Sequence, residues 1–196
     1  MATINGNAND NTLIGTSSAD VINANGGNDK VVANGGNDKV FGGAGNDNLQ
    51  GNAGNDIISG GTGNDKVLGG SGNDTISGGA GNDVLNGGTG NDVLVGGAGR
   101  DVMTGGAGAD TFIFNVASDS IAGQGQRDII LDFEHAVDKI GIRGLHVTAA
   151  DIDLSHNFGG AFAQLLRVST HHDGVYDFEV QLNHTGGTVT LADILF

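Results

Sequence analysis

The chain has 196 residues, 38 of them glycine and none cysteine or proline, and its 23 acidic against eight basic side chains give a formal charge of −15. No disulfide or thiol chemistry can operate without cysteine, and so negative a chain with no basic cluster is not expected to bind nucleic acid or anionic membrane surfaces. No apolar run approaches the roughly 18 residues of a membrane span, and the start, Met1-Ala2-Thr3-Ile4-Asn5, lacks the basic and apolar regions of a cleavable signal peptide.

Taken in order, the chain opens with worn copies of a phrase that later becomes regular. Residues 15–20 keep only the first glycine, and residues 24–29 and 33–38 both read ANGGND. The full phrase, GGxGND, stands at 42–47, 60–65, 69–74, 78–83 and 87–92; residues 51–56 lose one glycine, while 96–101 and 105–110 carry Arg100 and Ala109 in place of asparagine. An aspartate closes every copy, nine residues after the last: Asp20, Asp29, Asp38, Asp47, Asp56, Asp65, Asp74, Asp83, Asp92, Asp101 and Asp110. Asp10 falls ten residues before Asp20 and so out of phase.

Two residues after each aspartate comes an apolar side chain, from Ile22 to Phe112, so the unit reads as six residues of turn and three of strand. Three residues cannot form an independent strand. Each triplet must pair with an equivalent one stacked about 4.8 Å away, which two nonapeptides per coil achieve. Ile22, Val40, Ile58, Ile76, Leu94 and Phe112 then form one internal column, and Val31, Leu49, Val67, Leu85 and Met103 the opposing one. One core side chain in nine residues does not offset the entropy of ordering so much glycine. The aspartates would also repel one another in a compact fold, so a cation is required between the coils. Without one, a glycine-rich acidic segment is expected to be disordered.

Over about residues 15–112 these phrases resemble the RTX nonapeptide repeats, which implies a right-handed parallel β-roll, all-β, with calcium between its coils. A hard cation taking six to eight oxygens suits turns that offer little else. The ligands implied are the aspartates from Asp20 to Asp110 and the carbonyls of Gly42-Gly43-Ala44-Gly45, Gly51-Asn52-Ala53-Gly54, Gly60-Gly61-Thr62-Gly63, Gly69-Gly70-Ser71-Gly72, Gly78-Gly79-Ala80-Gly81, Gly87-Gly88-Thr89-Gly90, Gly96-Gly97-Ala98-Gly99, and Gly105, Gly106 and Gly108. Aspartates eighteen apart would share an ion, giving up to about nine calcium ions from 20/38 to 92/110. The asparagines before the aspartates read as turn residues rather than ligands.

Composition shifts near residue 111, since 29 of the 38 glycines precede it and seven of the eight phenylalanines follow it. A roll over residues 1–112 and a β-rich cap over 113–196 are expected. Ala109-Asp110-Thr111-Phe112-Ile113-Phe114, Asp119-Ser120, Asp128-Ile129-Ile130-Leu131-Asp132-Phe133 and Asp138-Lys139-Ile140 resemble the C-terminal domain of serralysin-type proteases, also found in the R-modules of secreted mannuronan C5-epimerases. The resemblance implies a further calcium held by Asp119 and Asp128 where roll meets cap.

Alternation of Tyr176, Phe178, Val180 and Leu182 predicts a half-buried strand, paired across His171-His172-Asp173-Gly174 with residues 165–170. Thr148 and Thr190 each read as capping a single helical turn. In the resembling families a terminal acid with apolar residues, here Asp193-Ile194-Leu195-Phe196, belongs to an uncleaved signal read by type I secretion systems; a final strand sealing the cap fits the same residues.

Glu134-His135 lacks the second histidine of HExxH, and neither GxSxG nor a cysteine nucleophile is present, so no catalytic site is expected. The sequence thus reads as a non-catalytic, secreted calcium-binding module, a monomer or part of a larger chain, that folds on meeting calcium outside the cell. The alternative is a module binding acidic polysaccharide such as alginate, for which Lys30, Lys39, Lys66 and Arg100 are the only basic side chains in the roll.

Overall fold

In a computed structural model, residues 1–115, 127–143, 152–157, 163–168, 178–184 and 188–195 are described. Strands are numbered in chain order. One nine-stranded sheet runs β1 (Thr3–Asn5), β3 (Val21–Gly26), β5 (Lys39–Ala44), β7 (Ile57–Thr62), β9 (Thr75–Ala80), β11 (Val93–Ala98), β13 (Thr111–Asn115), β15 (Lys139–Arg143) and β19 (Ile194–Leu195). The other holds β2 (Thr12–Ile14), β4 (Lys30–Val32), β6 (Asn48–Ala53), β8 (Lys66–Ser71), β10 (Val84–Thr89), β12 (Val102–Ala107) and β14 (Asp128–Phe133), then β18 (Phe178–His184), β17 (Ala163–Val168) and β16 (Ile152–Asn157). Through the repeats all pairing is parallel, and each residue meets the one eighteen further on, as Ile58 meets Ile76. This is an all-β parallel roll with an 18-residue coil.

The strands are longer than the triplets predicted. β7 continues through the first half of its turn, where Gly61 pairs with Gly79 and Thr62 with Ala80. Backbone groups in a tight turn need partners, and the adjacent coil supplies them. The unit is therefore six residues of strand and three of turn.

Both predicted columns face inward and are fully buried. They do not stop at Phe112. Phe112 pairs with Ile140 and Ile140 with Ile194 in one sheet, Met103 with Ile130 and Ile130 with Leu182 in the other, so a single core runs from roll into cap. The cap hairpin forms as expected, with β17 and β18 antiparallel and Val168 opposite Phe178, while its turn at 171–174 lies outside the described residues, as does the helical turn expected at Thr148. Thr190 precedes a 3-10 turn, Leu191–Asp193, and β19 then seals the first sheet.

Candidate metal sites along the roll

From residues 24–29 onward, each repeat makes its turn by placing the second and fourth residues at positive φ, as Gly61 (118°) and Gly63 (120°) do. Asparagine is the side-chain-bearing residue that best tolerates this region, and Asn25, Asn34 and Asn52 take the second position at 76–77°. That is how the worn copies keep the turn. The sixth residue then enters the strand with its side chain turned between coils.

The aspartates consequently form two ladders, one beside each sheet. The N–H of each donates to Oδ1 of the aspartate one coil on, at 2.7–2.9 Å from Asp20 to Asp110. Oδ2 is left over. In Asp29, Asp38, Asp47, Asp56, Asp65, Asp74, Asp83, Asp92 and Asp110 it is buried and receives no hydrogen bond. A buried carboxylate oxygen with no donor costs several kcal/mol by order of magnitude, and repeating that cost along the roll requires a ligand.

The first glycine of each turn opens the space beside this oxygen. A β-carbon on Gly60 would collide with Asp65 Oδ2 and with the carbonyl oxygen of Gly78, one coil on; Gly42, Gly51, Gly69, Gly78 and Gly87 repeat the arrangement. Carboxylate and carbonyl oxygens thus converge at every complete repeat, an oxygen-only donor set that fits calcium. Among the described residues no three His, Asp or Glu side chains converge closely enough to hold an ion unaided. Carbonyls must complete each site.

Electrostatics point the same way. Burial, helped by the neighbouring ladder aspartates, raises the carboxyl of Asp74 to about 7 and those of Asp65 and Asp110 to about 6. Asp38, Asp47, Asp56, Asp83 and Asp92 are raised as well, chiefly by burial. The ladder is short of positive charge along its length.

The ends differ. Asp20 has both oxygens occupied, Oδ1 by the N–H of Ala2 and Oδ2 by the N–H and hydroxyl of Thr16, and its pKa is lowered by those bonds. At the other end the ladders outrun the repeats. Asp101 donates to Asp128 and Asp110 to Asp138, spacings of 27 and 28 residues that the nine-residue period does not reveal. Asp128 therefore stands one coil beyond Asp101, while Asp119, its expected partner, lies outside the described residues. Arg127 pairs with Glu179 at 2.6 Å.

The asparagines are structural. Oδ1 of Asn28, Asn37, Asn46, Asn55, Asn64, Asn73, Asn82 and Asn91 each accepts the N–H of the residue eighteen further on, ending on Arg100 and Ala109. Asp10 belongs to this row, accepting from Asn28 N, which explains its phase.

Comparison with known proteins agrees with this geometry. The chain matches the RTX calcium-binding nonapeptide repeat over residues 5–40, 41–76 and 77–112. The solution structure of the AlgE6R3 subunit from the Azotobacter vinelandii mannuronan C5-epimerase is 34% identical, covering 69% of this chain and 79% of that one, with a TM-score of 0.53. The AlgE6R2 subunit of the same enzyme is 25% identical over 98% of this chain and 91% of that one, with a TM-score of 0.42. No curated protein matches. With more than half its length matched by these repeats, the chain belongs to the RTX calcium-binding nonapeptide repeat family.

Proposed function

We propose that this is a non-catalytic module that folds by taking up several calcium ions outside the cell and that leaves the cell through a type I apparatus reading its C-terminal residues. The row of buried, unpartnered Oδ2 atoms in Asp29, Asp38, Asp47, Asp56, Asp65, Asp74, Asp83, Asp92 and Asp110 supports the reading most strongly. Bound calcium supplies positive charge between facing carboxylates. The chain's own part is to hold an aspartate and a glycine carbonyl together at every coil and to stack the coils in register. Sites of extracellular-module affinity, with dissociation constants of roughly 10⁻⁴–10⁻³ M, stay empty in the cytosol, so the chain would remain extended for export. Circular dichroism tests this: coil in excess chelator, with cooperative β signal on adding calcium. A native-like β spectrum in chelator would sink it.

Binding of an acidic polysaccharide is the second reading, favoured by the likeness to a mannuronan epimerase subunit. Lys30, Asn48 and Lys66 stand in register on one sheet, whereas Lys39 lies on the other. So short a basic track supports weak binding only, with millimolar dissociation constants at best, about −4 kcal/mol. Calorimetry against alginate oligomers in calcium separates the two readings. Micromolar affinity lost in Lys30→Ala/Lys66→Ala would promote the second.

A further inference from the structure

We infer that calcium enters the roll only from Asp47 onward, and that the first four repeats close their own seats without metal and give the rod a calcium-free end; the inference rests on the calcium reading above.

An intact seat sets Oδ2 of an aspartate against a carbonyl oxygen one coil on, in the space that a β-carbon on the first glycine would fill. The first four repeats each spoil it. In residues 6–11 the sixth residue is Asn11, a neutral amide whose Oδ1 stands beside Gly6 and accepts the N–H of Asn7 at 2.7 Å. In residues 15–20, Oδ2 of Asp20 accepts the N–H of Thr16 at 2.7 Å and its hydroxyl at 2.8 Å. Asn7 and Thr16 both stand second in their phrase, and neither takes the positive φ that later repeats place there. Hydrogen-bond donors supply the positive end that an ion supplies further on.

The next two repeats use carbon. Pairing of Asn23 with Phe41 and Asn25 with Gly43 puts Ala24 opposite Gly42, and pairing of Val32 with Gln50, continued one residue, puts Ala33 opposite Gly51. Each alanine opens its phrase, so each carries the β-carbon that Gly42 and Gly51 lack, and each is fully buried. A methyl group there takes the volume beside Oδ2 and offers no oxygen to a hard cation. Oδ2 of Asp29 and of Asp38 nonetheless stays buried without a donor. The demand for a cation persists at these two rungs while the seat is gone.

The end of a rod is where such plugs matter. Its outermost coil has a neighbour on one side only, and Ile4 and Leu13, at the foot of the two columns, are only partly buried. An ion held there would exchange readily with water. Four self-sufficient repeats put two coils between that end and the first loaded rungs, where Asp47 and Asp56 are buried.

Native mass spectrometry in calcium tests this by counting ions. Ala24→Gly and Ala33→Gly should each bind one ion more than the wild-type chain, and the double variant two more. Ala44→Gly, at an exposed third position, should leave the count unchanged. Crystals of the wild-type chain grown in calcium should show anomalous peaks about 2.3–2.6 Å from Asp47 and Asp56 oxygens and none on Asp29 or Asp38. An unchanged count in Ala24→Gly or Ala33→Gly, or wild-type calcium on Asp29 or Asp38, would overturn the inference and leave the calcium reading standing. A wild-type chain that binds no calcium would overturn both.

Discussion

Gly72 lies directly on the carbonyl of Gly54, one coil below, at a φ of 120°. A methyl group there meets main chain that cannot give way. We expect Gly72→Ala to destabilise the calcium-loaded roll by about 3 kcal/mol or more, combining positive-φ strain with the clash. Gly26→Ala is the control. Its φ is not in the left-handed region and its nearest new contacts are at 3.7 Å, so a change within about 1 kcal/mol is expected. Calcium midpoints and thermal melts of the two variants make the comparison; equal losses would contradict the stacking described.

Register should outweigh charge. Asp83→Asn keeps the acceptor for Asp65 N, a bond of 2.8 Å, and removes one charge from the two sites that Asp83 faces. Deleting one residue between Gly69 and Asp74 displaces every later column by one, moving buried side chains to the outer face. The point variant should shift the calcium midpoint modestly, and the deletion should abolish most of the β signal. Circular dichroism during calcium titration distinguishes them.

Acid should favour the metal-free fold. The carboxyls of Asp65, Asp74 and Asp110 are raised in the folded chain to about 6, 7 and 6 from 3.8. The folded state therefore binds protons that the unfolded state releases, so in chelator stability grows as pH falls through 7 toward 4 and is lost as pH rises through that window. With calcium present the sign reverses, because protons compete for the same oxygens. Melts in chelator at pH 5 and 7.5 would reveal the first effect, calcium midpoints at the same pH values the second. A metal-free chain less ordered at pH 5 than at 7.5 would contradict it.

The C-terminal seal hangs on one carboxylate. Asp193 is buried and accepts from Thr190 N and Oγ1, Ala136 N and His135 Nδ1. Asp193→Ala leaves these donors without their partner, at a cost of about 2–4 kcal/mol, and should free β19 from β15. Hydrogen exchange at Ile140 and Ile142 would report it. Removing residues 193–196 should in addition abolish export by a reconstituted type I apparatus; undiminished secretion would place the signal elsewhere.

Much of the fold was legible because the nine-residue period fixes both columns and the side on which each aspartate falls. Asp128 and Asp138 were not legible as ladder members. They follow an interruption of the period, and spacings of 27 and 28 match no multiple of the 18-residue coil. Strand length was misjudged at Gly61 and Thr62 because composition marks turn residues without showing that the next coil pairs with them. Asp10 looked misplaced for a related reason: its role is set by Asn28, eighteen residues away.

Alternation of successive nonapeptides between two sheets makes the roll a ruler with a parity. Inserting eighteen residues would lengthen it by about 4.8 Å and leave every later side chain on its own side. Inserting nine would carry everything downstream to the opposite sheet, turning an attached neighbour by half a revolution. The chain meets this constraint at its own junction. Between Asp101 and Asp128 it adds nine residues to a coil, yet β14 still pairs with β12, so parity is kept. Repeat number can therefore set the distance between whatever flanks such a rod, independently of their orientation, provided repeats are gained or lost in pairs.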